Sequence, residues 1–165
     1  MPQFHQQTKH SYISIRKNAL FLDWRTQPRS YKIYPHFYRR FKIADFEELS
    51  NLELIGQATF SHNYGSDEYL LRTTPSAGGL YPCEVYVQLR GIKNLLDGIY
   101  HYEPLNGNLT LVYELIDDGV EAYFADNSKE RGFIFLISAI YFRSSWKYKN
   151  RAIRYIFLDS GHQLG

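Results

Sequence analysis

Val85, Val87 and Leu89 alternate with Glu84, Tyr86 and Gln88 directly after a loop of small residues and prolines, Arg72-Thr-Thr-Pro-Ser-Ala-Gly-Gly-Leu-Tyr-Pro82. Period-two alternation is the pattern of a strand with one face on a core, so residues 84–90 are expected to form a half-buried strand. Pro82 ends the loop, which is thereby held at the end of a sheet. Gly78 and Gly79 carry no Cβ and accept positive φ, so a planar ring or a phosphate could approach their backbone amides. The same composition also marks an ordinary tight turn entering a strand.

The rest of the chain gives a mixture of periods. Asp45 with Glu48 three residues on has capping-box spacing, and Phe46, Leu49, Leu52 and Ile55 form one apolar stripe up to Gly56, predicting a helix. Residues 60–68 read as a polar loop turning at Asn63-Tyr-Gly65. Residues 98–102 and 109–113 flank Asn106-Gly107 as a hairpin with a longer connection. Asp117-Asp118 can cap a short helix reaching about Phe124. The apolar run 132–142, with Ile134, Ile137 and Ile140, is too short to span a bilayer and reads as a buried central strand. Arg151, Arg154, Tyr155, Leu158, Asp159 and His162 recur at helical spacing, so a last helix is expected from near Lys149. Pro2, Pro28 and Pro35 suggest an extended N-terminal arm over 1–44 on a body over 45–165. The fold class expected is α+β, a mixed or antiparallel sheet with flanking helices.

Composition narrows the function. A chain of 165 residues with 44% hydrophobic and 22% charged residues suits one soluble domain, and 17% aromatic residues favour strands and flat stacking surfaces. A formal charge of +2 is too small to argue for nucleic acid, and His36, Arg39, Arg40 and Lys42 read as a solvated basic stretch. The single cysteine, Cys83, forms no internal disulfide and fits a reducing cytoplasm; without a histidine at motif-like spacing it is read as a packed residue rather than a nucleophile. Residues 1–17 lack the apolar core of a secretory signal. Asp159 and His162 alone do not close a metal site, so no metal is expected and hydrogen bonding is the preferred role. His5 and His10 are read as packed or solvent-facing. No Gly-x-Gly-x-x-Gly fingerprint follows a strand.

Several segments together resemble the SagB-type branch of the flavin-dependent nitroreductase superfamily, the azoline dehydrogenases. They are His5-Gln-Gln-Thr-Lys-His10, Lys32-Ile-Tyr-Pro35, the 72–82 loop, Gly98-Ile-Tyr-His-Tyr102, and Trp146-Lys-Tyr with Arg154-Tyr and Asp159-Ser-Gly-His162 to follow. The resemblance implies a nitroreductase-like fold, bound FMN, a small-molecule or peptide azoline substrate and a homodimer in full-length relatives, without membrane or nucleic acid. It lays Pro75, Ser76, Ala77, Gly78 and Gly79 along the isoalloxazine. Arg72 offers a cationic fork, Ser76 a donor and acceptor, and 77–79 backbone amides.

Lys147 and Tyr148 match the pair proposed as catalytic in those enzymes. Azoline oxidation removes a proton from Cα and a hydride from Cβ, so it needs a base. A tyrosine is a poor base unless a neighbouring cation lowers its pKa, and Lys147 could do so only on irregular backbone, because adjacent strand residues face opposite ways. Arg151 and Arg154 could pair with Asp159 or reach a phosphate. Members of that branch continue beyond the segment matching 159–162, so the domain is expected to be incomplete at its C-terminal side, with apolar faces open there, weak flavin binding and no normal dimer. Two other readings stand beside the azoline dehydrogenase: a flavin-free remnant acting as a binding or structural subunit, and a nicotinamide-dependent nitro or quinone reductase.

Overall fold

Two sheets of unequal size carry the molecule. The computed structural model describes residues 2–17, 21–54, 58–64, 67–124 and 133–165. The larger sheet has five antiparallel strands in the order β1 (Arg40–Lys42), β6 (Asn108–Glu114), β5 (Gly98–Glu103), β4 (Cys83–Leu89), β7 (Phe133–Ala139). β2 (Ala58–Tyr64) and β3 (Asp67–Arg72) form a separate antiparallel pair. Helices α1 (Pro2–Thr8) and α2 (Tyr12–Lys17) precede the sheets, and α3 (Tyr141–Tyr148) and α4 (Ala152–Leu164) follow them. This is the expected α+β class.

β4 forms where its alternation predicts, but it is buried on both faces rather than one. Val85, Val87 and Leu89 join a core with Ile43, Leu49, Leu52, Tyr100, Tyr102, Leu109 and Leu111. On the other face Glu84 and Gln88 are each 1% exposed. That face is covered because Arg143 of α3 pairs with Glu84, and the 3-10 turn Val120–Tyr123 supplies Glu121 to Gln88. Polar side chains there mark partners, not solvent. The turn at 120–123 has Gly119 at its cap position in place of Asp117 or Asp118.

The apolar run after residue 132 departs most from expectation. It splits into β7 and the start of α3, and β7 is an edge strand with Phe133 39% and Phe135 45% exposed. The ladder ends at the Cys83–Ala139 pair, one residue past which the Pro82 carbonyl takes the Ile140 amide at 2.8 Å. Pro82 has no amide to extend the pairing, so the chain leaves the sheet and coils into α3.

Other differences are local. The segment read as a 45–56 helix is two 3-10 pieces, Ile43–Asp45 and Glu47–Leu54, broken by extended Phe46, so Asp45 lies inside a turn and caps nothing. Its stripe still works, with Leu49 and Leu52 buried; Ile55 and Gly56 lie outside the described residues. The loop read over 60–68 is the β2–β3 hairpin, a ribbon outside the main sheet that backbone pairing defines without an apolar alternation; Gly65 lies outside the described residues. The arm over 1–44 is not simply extended: it holds α1, α2 and the short turn Trp24–Thr26, and β1 belongs to the main sheet. α4 runs nearly as predicted, after a 3-10 turn Lys149–Arg151. Among the described residues no helix is long and apolar enough to cross a membrane.

Candidate active site

The small-residue loop closes on itself and is then tied to α4. Ala77–Gly79 make a single 3-10 turn in which Gly78 and Gly79 hold φ of +67° and +65°, the left-handed region that favours glycine. The Ser76 hydroxyl accepts the Tyr81 amide at 2.9 Å and donates to Asp159 Oδ2 at 2.7 Å, while the Ala77 amide donates to Asp159 Oδ1 at 3.1 Å. The Tyr81 hydroxyl accepts the Arg72 amide at 3.0 Å, closing the base of the loop. Asp159 is buried. Its carboxylate thus takes the role against the loop that hydrogen bonding predicted for it, and it pairs with neither Arg151 nor Arg154. Arg154 donates instead to Thr8 Oγ1 at 2.7 Å, and Arg151 reaches the His10 imidazole.

α3 is anchored to the same loop from the other side. The Arg143 guanidinium donates to the Tyr81 carbonyl at 2.8 Å and pairs with Glu84. Lys147 lies four residues later, on the same helix face. A Cβ built on Gly78 would stand 2.8 Å from Tyr148 Oη and 2.9 Å from Lys147 Nζ, so the loop and both candidate catalytic residues meet there. Lys147 and Tyr148 lie at a helix C-terminus and not on a strand. Neighbours on a helix are turned by about 100° rather than 180°, so both can face one spot without irregular backbone.

The electrostatics of Tyr148 run against a role as base. Burial pushes its pKa above 10, the Tyr155 and Asp159 charges add to the rise, and Arg151 only partly opposes them. Its ring stacks on Tyr155 with centroids 3.8 Å apart. Lys147, expected to lower this phenol, lies with Nζ 5.8 Å from the centre of each of the Trp24 and Tyr148 rings. Tyr148 is therefore a protonated phenol at neutral pH. Lys147 Nζ has no hydrogen-bond acceptor among the described residues.

The remaining candidates divide by exposure. Pro75 and Gly78 are exposed and Gly79 is half-buried. Arg72 turns inward: its guanidinium donates to the Ser30 carbonyl and, at 3.4 Å, to that of Cys83, and burial draws its pKa down against the pull of Glu84. Ser76 and the Ala77 amide thus spend their hydrogen bonds on shaping the loop, whereas the Arg72 guanidinium ties the loop's start to the Ser30 and Cys83 carbonyls and keeps a buried Nε without a partner among the described residues. Cys83 is buried 3.5 Å from Ser160 Oγ, and burial pushes its thiol up, as a packed residue should behave. Among the described residues no three ligating side chains gather around a metal position.

A polar network behind the loop was not anticipated. His101 Nε2 lies 2.7 Å from Glu84 Oε2, with both side chains at most 1% exposed. Burial raises the Glu84 carboxyl, yet the His101 hydrogen bond and the Arg143 and Arg72 charges outweigh it and hold the pKa below the usual value. Beyond His101, Lys32 Nζ donates to Tyr34 and Tyr86 hydroxyls at 2.8 and 3.0 Å. Glu84 and His101 occur in strand patterns, where a charged residue between apolar ones reads as facing solvent. Arg143 of α3 over Glu84, and the Tyr34 ring against His101, reverse that, and the sequence carries no local sign of it.

This fold is nitroreductase-like. A crystal structure from Anabaena variabilis described as a nitroreductase superposes with a TM-score of 0.82 and 27% identity, covering 99% of this chain and 36% of that one. A curated protein of Methanocaldococcus jannaschii named as a nitroreductase is 32% identical over 106 residues, which are 60% of this chain and 52% of that protein. A chain of the E. coli microcin synthetase complex aligns at a TM-score of only 0.48 and 19% identity, too distant to carry an argument. No family model matches. Sequence and fold together support a place in the nitroreductase-like superfamily, and the chain spans about half the length of the curated relative it matches.

Proposed function

We propose that this chain carries the flavin-side part of an FMN-dependent oxidoreductase site. The observation that carries the reading is the meeting of Lys147 Nζ and Tyr148 Oη at the exposed, Cβ-free surface of Gly78. The residues fit a flat, oxygen-edged ring: Pro75, Gly78 and Gly79 offer a low surface, and Lys147 offers an ammonium without an acceptor. Arg72, Ser76 and Ala77 hold that surface in shape through the protein's own groups and Asp159. FMN, when bound, supplies the two-electron chemistry.

The chain's own residues handle orientation and protons. Lys147 orients an electron-rich edge beside Gly78, and Tyr148 donates a proton or hydrogen bond to a substrate heteroatom. In the azoline dehydrogenase reading, Tyr148 holds the ring heteroatom or adjoining carbonyl, and the Cα proton passes to solvent water, because the Lys147 ammonium and the Tyr148 phenol are both already protonated. The neutral Tyr148 favours a second reading, reduction of a nitro or quinone compound with a reduced nicotinamide, in which a proton donor meets developing oxyanion charge.

Titration of the purified protein with FMN, read by quenching of flavin fluorescence, tests the cofactor. Saturable binding weakened by Lys147→Ala and Gly78→Val is the expected result, and no saturation up to about 1 mM would exclude the reading. Flavin-loaded protein offered a thiazoline peptide, or a quinone with reduced nicotinamide, then separates the two substrates.

A further inference from the structure

One open cleft of about 820 Å³ runs from α1 to the C-terminal end of α3, and its lining includes Lys9, His10, Lys147, Lys149 and Arg151 but no carboxylate. The whole chain balances 19 Lys and Arg against 17 Asp and Glu, so this one-sided wall is a local accumulation. Asp23, next to the lining residue Leu22 in the chain, pairs with Arg25 at 2.9 Å. Asp159 lies behind Tyr148 and keeps its charge, since among the described residues it accepts only from the neutral Ser76 hydroxyl and Ala77 amide, but it does not line the cleft.

The walls are joined by specific contacts. Arg151 meets His10, and Arg154 reaches Thr8, so α1 is pinned across the start of α4. Lys149 Nζ donates to the Trp146 carbonyl at 2.8 Å, which uses one of an ammonium's three donors. Lys147 Nζ has no acceptor among the described residues, and Arg151 Nε is buried without one. Four permanent cations in one concave wall repel one another, and the low-dielectric walls focus their field. An anion relieves that repulsion, and a guanidinium fork with ammonium neighbours matches the oxygens of phosphate and carboxylate.

We propose that this cleft is a binding site for a ligand bearing two or more oxyanion charges, phosphate or carboxylate, seated against Lys147 and Tyr148. The argument rests on charge and geometry and does not depend on flavin being the cofactor. Two sources share this chemistry, the phosphate of a nucleotide cofactor and an acidic group on the substrate.

Isothermal titration of the whole chain with pyrophosphate at low ionic strength tests it. Saturable binding is expected, lost on raising salt to about 0.5 M. Lys9→Glu, at an exposed position, and Arg151→Ala should each weaken it at least about fivefold, with Arg151→Lys recovering part of the loss. Repetition with FMN and riboflavin distinguishes the sources. Competition by FMN but not riboflavin identifies the cofactor phosphate; pyrophosphate binding undisturbed by either leaves the substrate's acidic group. Each of these supports the site. Absence of pyrophosphate binding up to about 10 mM, or binding unchanged in both Lys9→Glu and Arg151→Ala, overturns it.

Discussion

The Ser76 hydroxyl donates to the Asp159 carboxylate at 2.7 Å across 83 residues of sequence, and this contact decides the shape of the small-residue loop. Asp159 holds two donors, the Ser76 hydroxyl and the Ala77 amide, and is itself buried. Asp159→Ala should cost about 1–2 kcal/mol in chemical denaturation, since it removes a charged acceptor from two half-buried donors. Asp159→Asn should lose about half as much. A change below about 0.5 kcal/mol for the alanine variant would show that the loop holds itself.

Gly78→Ala meets two penalties at once. Its φ of +67° disfavours any side chain, and the new Cβ would press on Tyr148 Oη and Lys147 Nζ at 2.8 and 2.9 Å. The expected destabilisation is about 1–2 kcal/mol, because the ammonium and phenol can move aside while the backbone strain remains. Thermal unfolding measures it. FMN affinity, on the function proposed here, should fall more than stability does.

Acid should unfold the protein through Glu84. Its folded pKa lies below its unfolded value, so the folded state binds fewer protons and stability falls as the pH drops from about 4.5 through the folded pKa. Above the unfolded pKa this contribution is fully present. Glu84→Gln should lose about 3 kcal/mol at neutral pH, because it leaves Arg143 buried without its counter-charge. The same variant should flatten the acid limb of a melting-temperature profile; an unchanged limb would assign acid sensitivity to other carboxyls, Glu121 among them, which is pulled down to about 2.

Tyr148→Phe removes the proposed proton donor while keeping the ring stacked on Tyr155. Flavin binding should stay within about twofold, and turnover should fall about 10–100-fold, the range of a lost general acid. Because the phenol titrates above 10, the wild-type rate should not decline from Tyr148 ionisation below that pH. A rate equal to wild type would return Tyr148 to a packing role.

What the sequence determined by itself is local. Alternation marked β4, the Asn106-Gly107 turn marked β5 and β6 as a hairpin, helical spacing marked α4, and the glycine pair with its flanking Pro75 and Pro82 marked a loop at the sheet end. These follow from backbone sterics and from the two periods by which strands and helices present side chains, both of which act within a few residues. Lys147 and Tyr148 were legible as candidates only through a resemblance, and their backbone was misread as extended because the apolar run before them hides the switch from β7 to α3. The tertiary structure decided the rest. It turned the outward face of β4 into a buried ionic pair by laying Arg143 over Glu84, and it raised the Tyr148 pKa by burying the phenol, with the Tyr155 and Asp159 charges adding to the rise. It also gathered Lys9, Lys147, Lys149 and Arg151 along one cleft. Burial and charge fields depend on which groups meet in space, and contacts over such sequence distances leave no periodic trace in the chain.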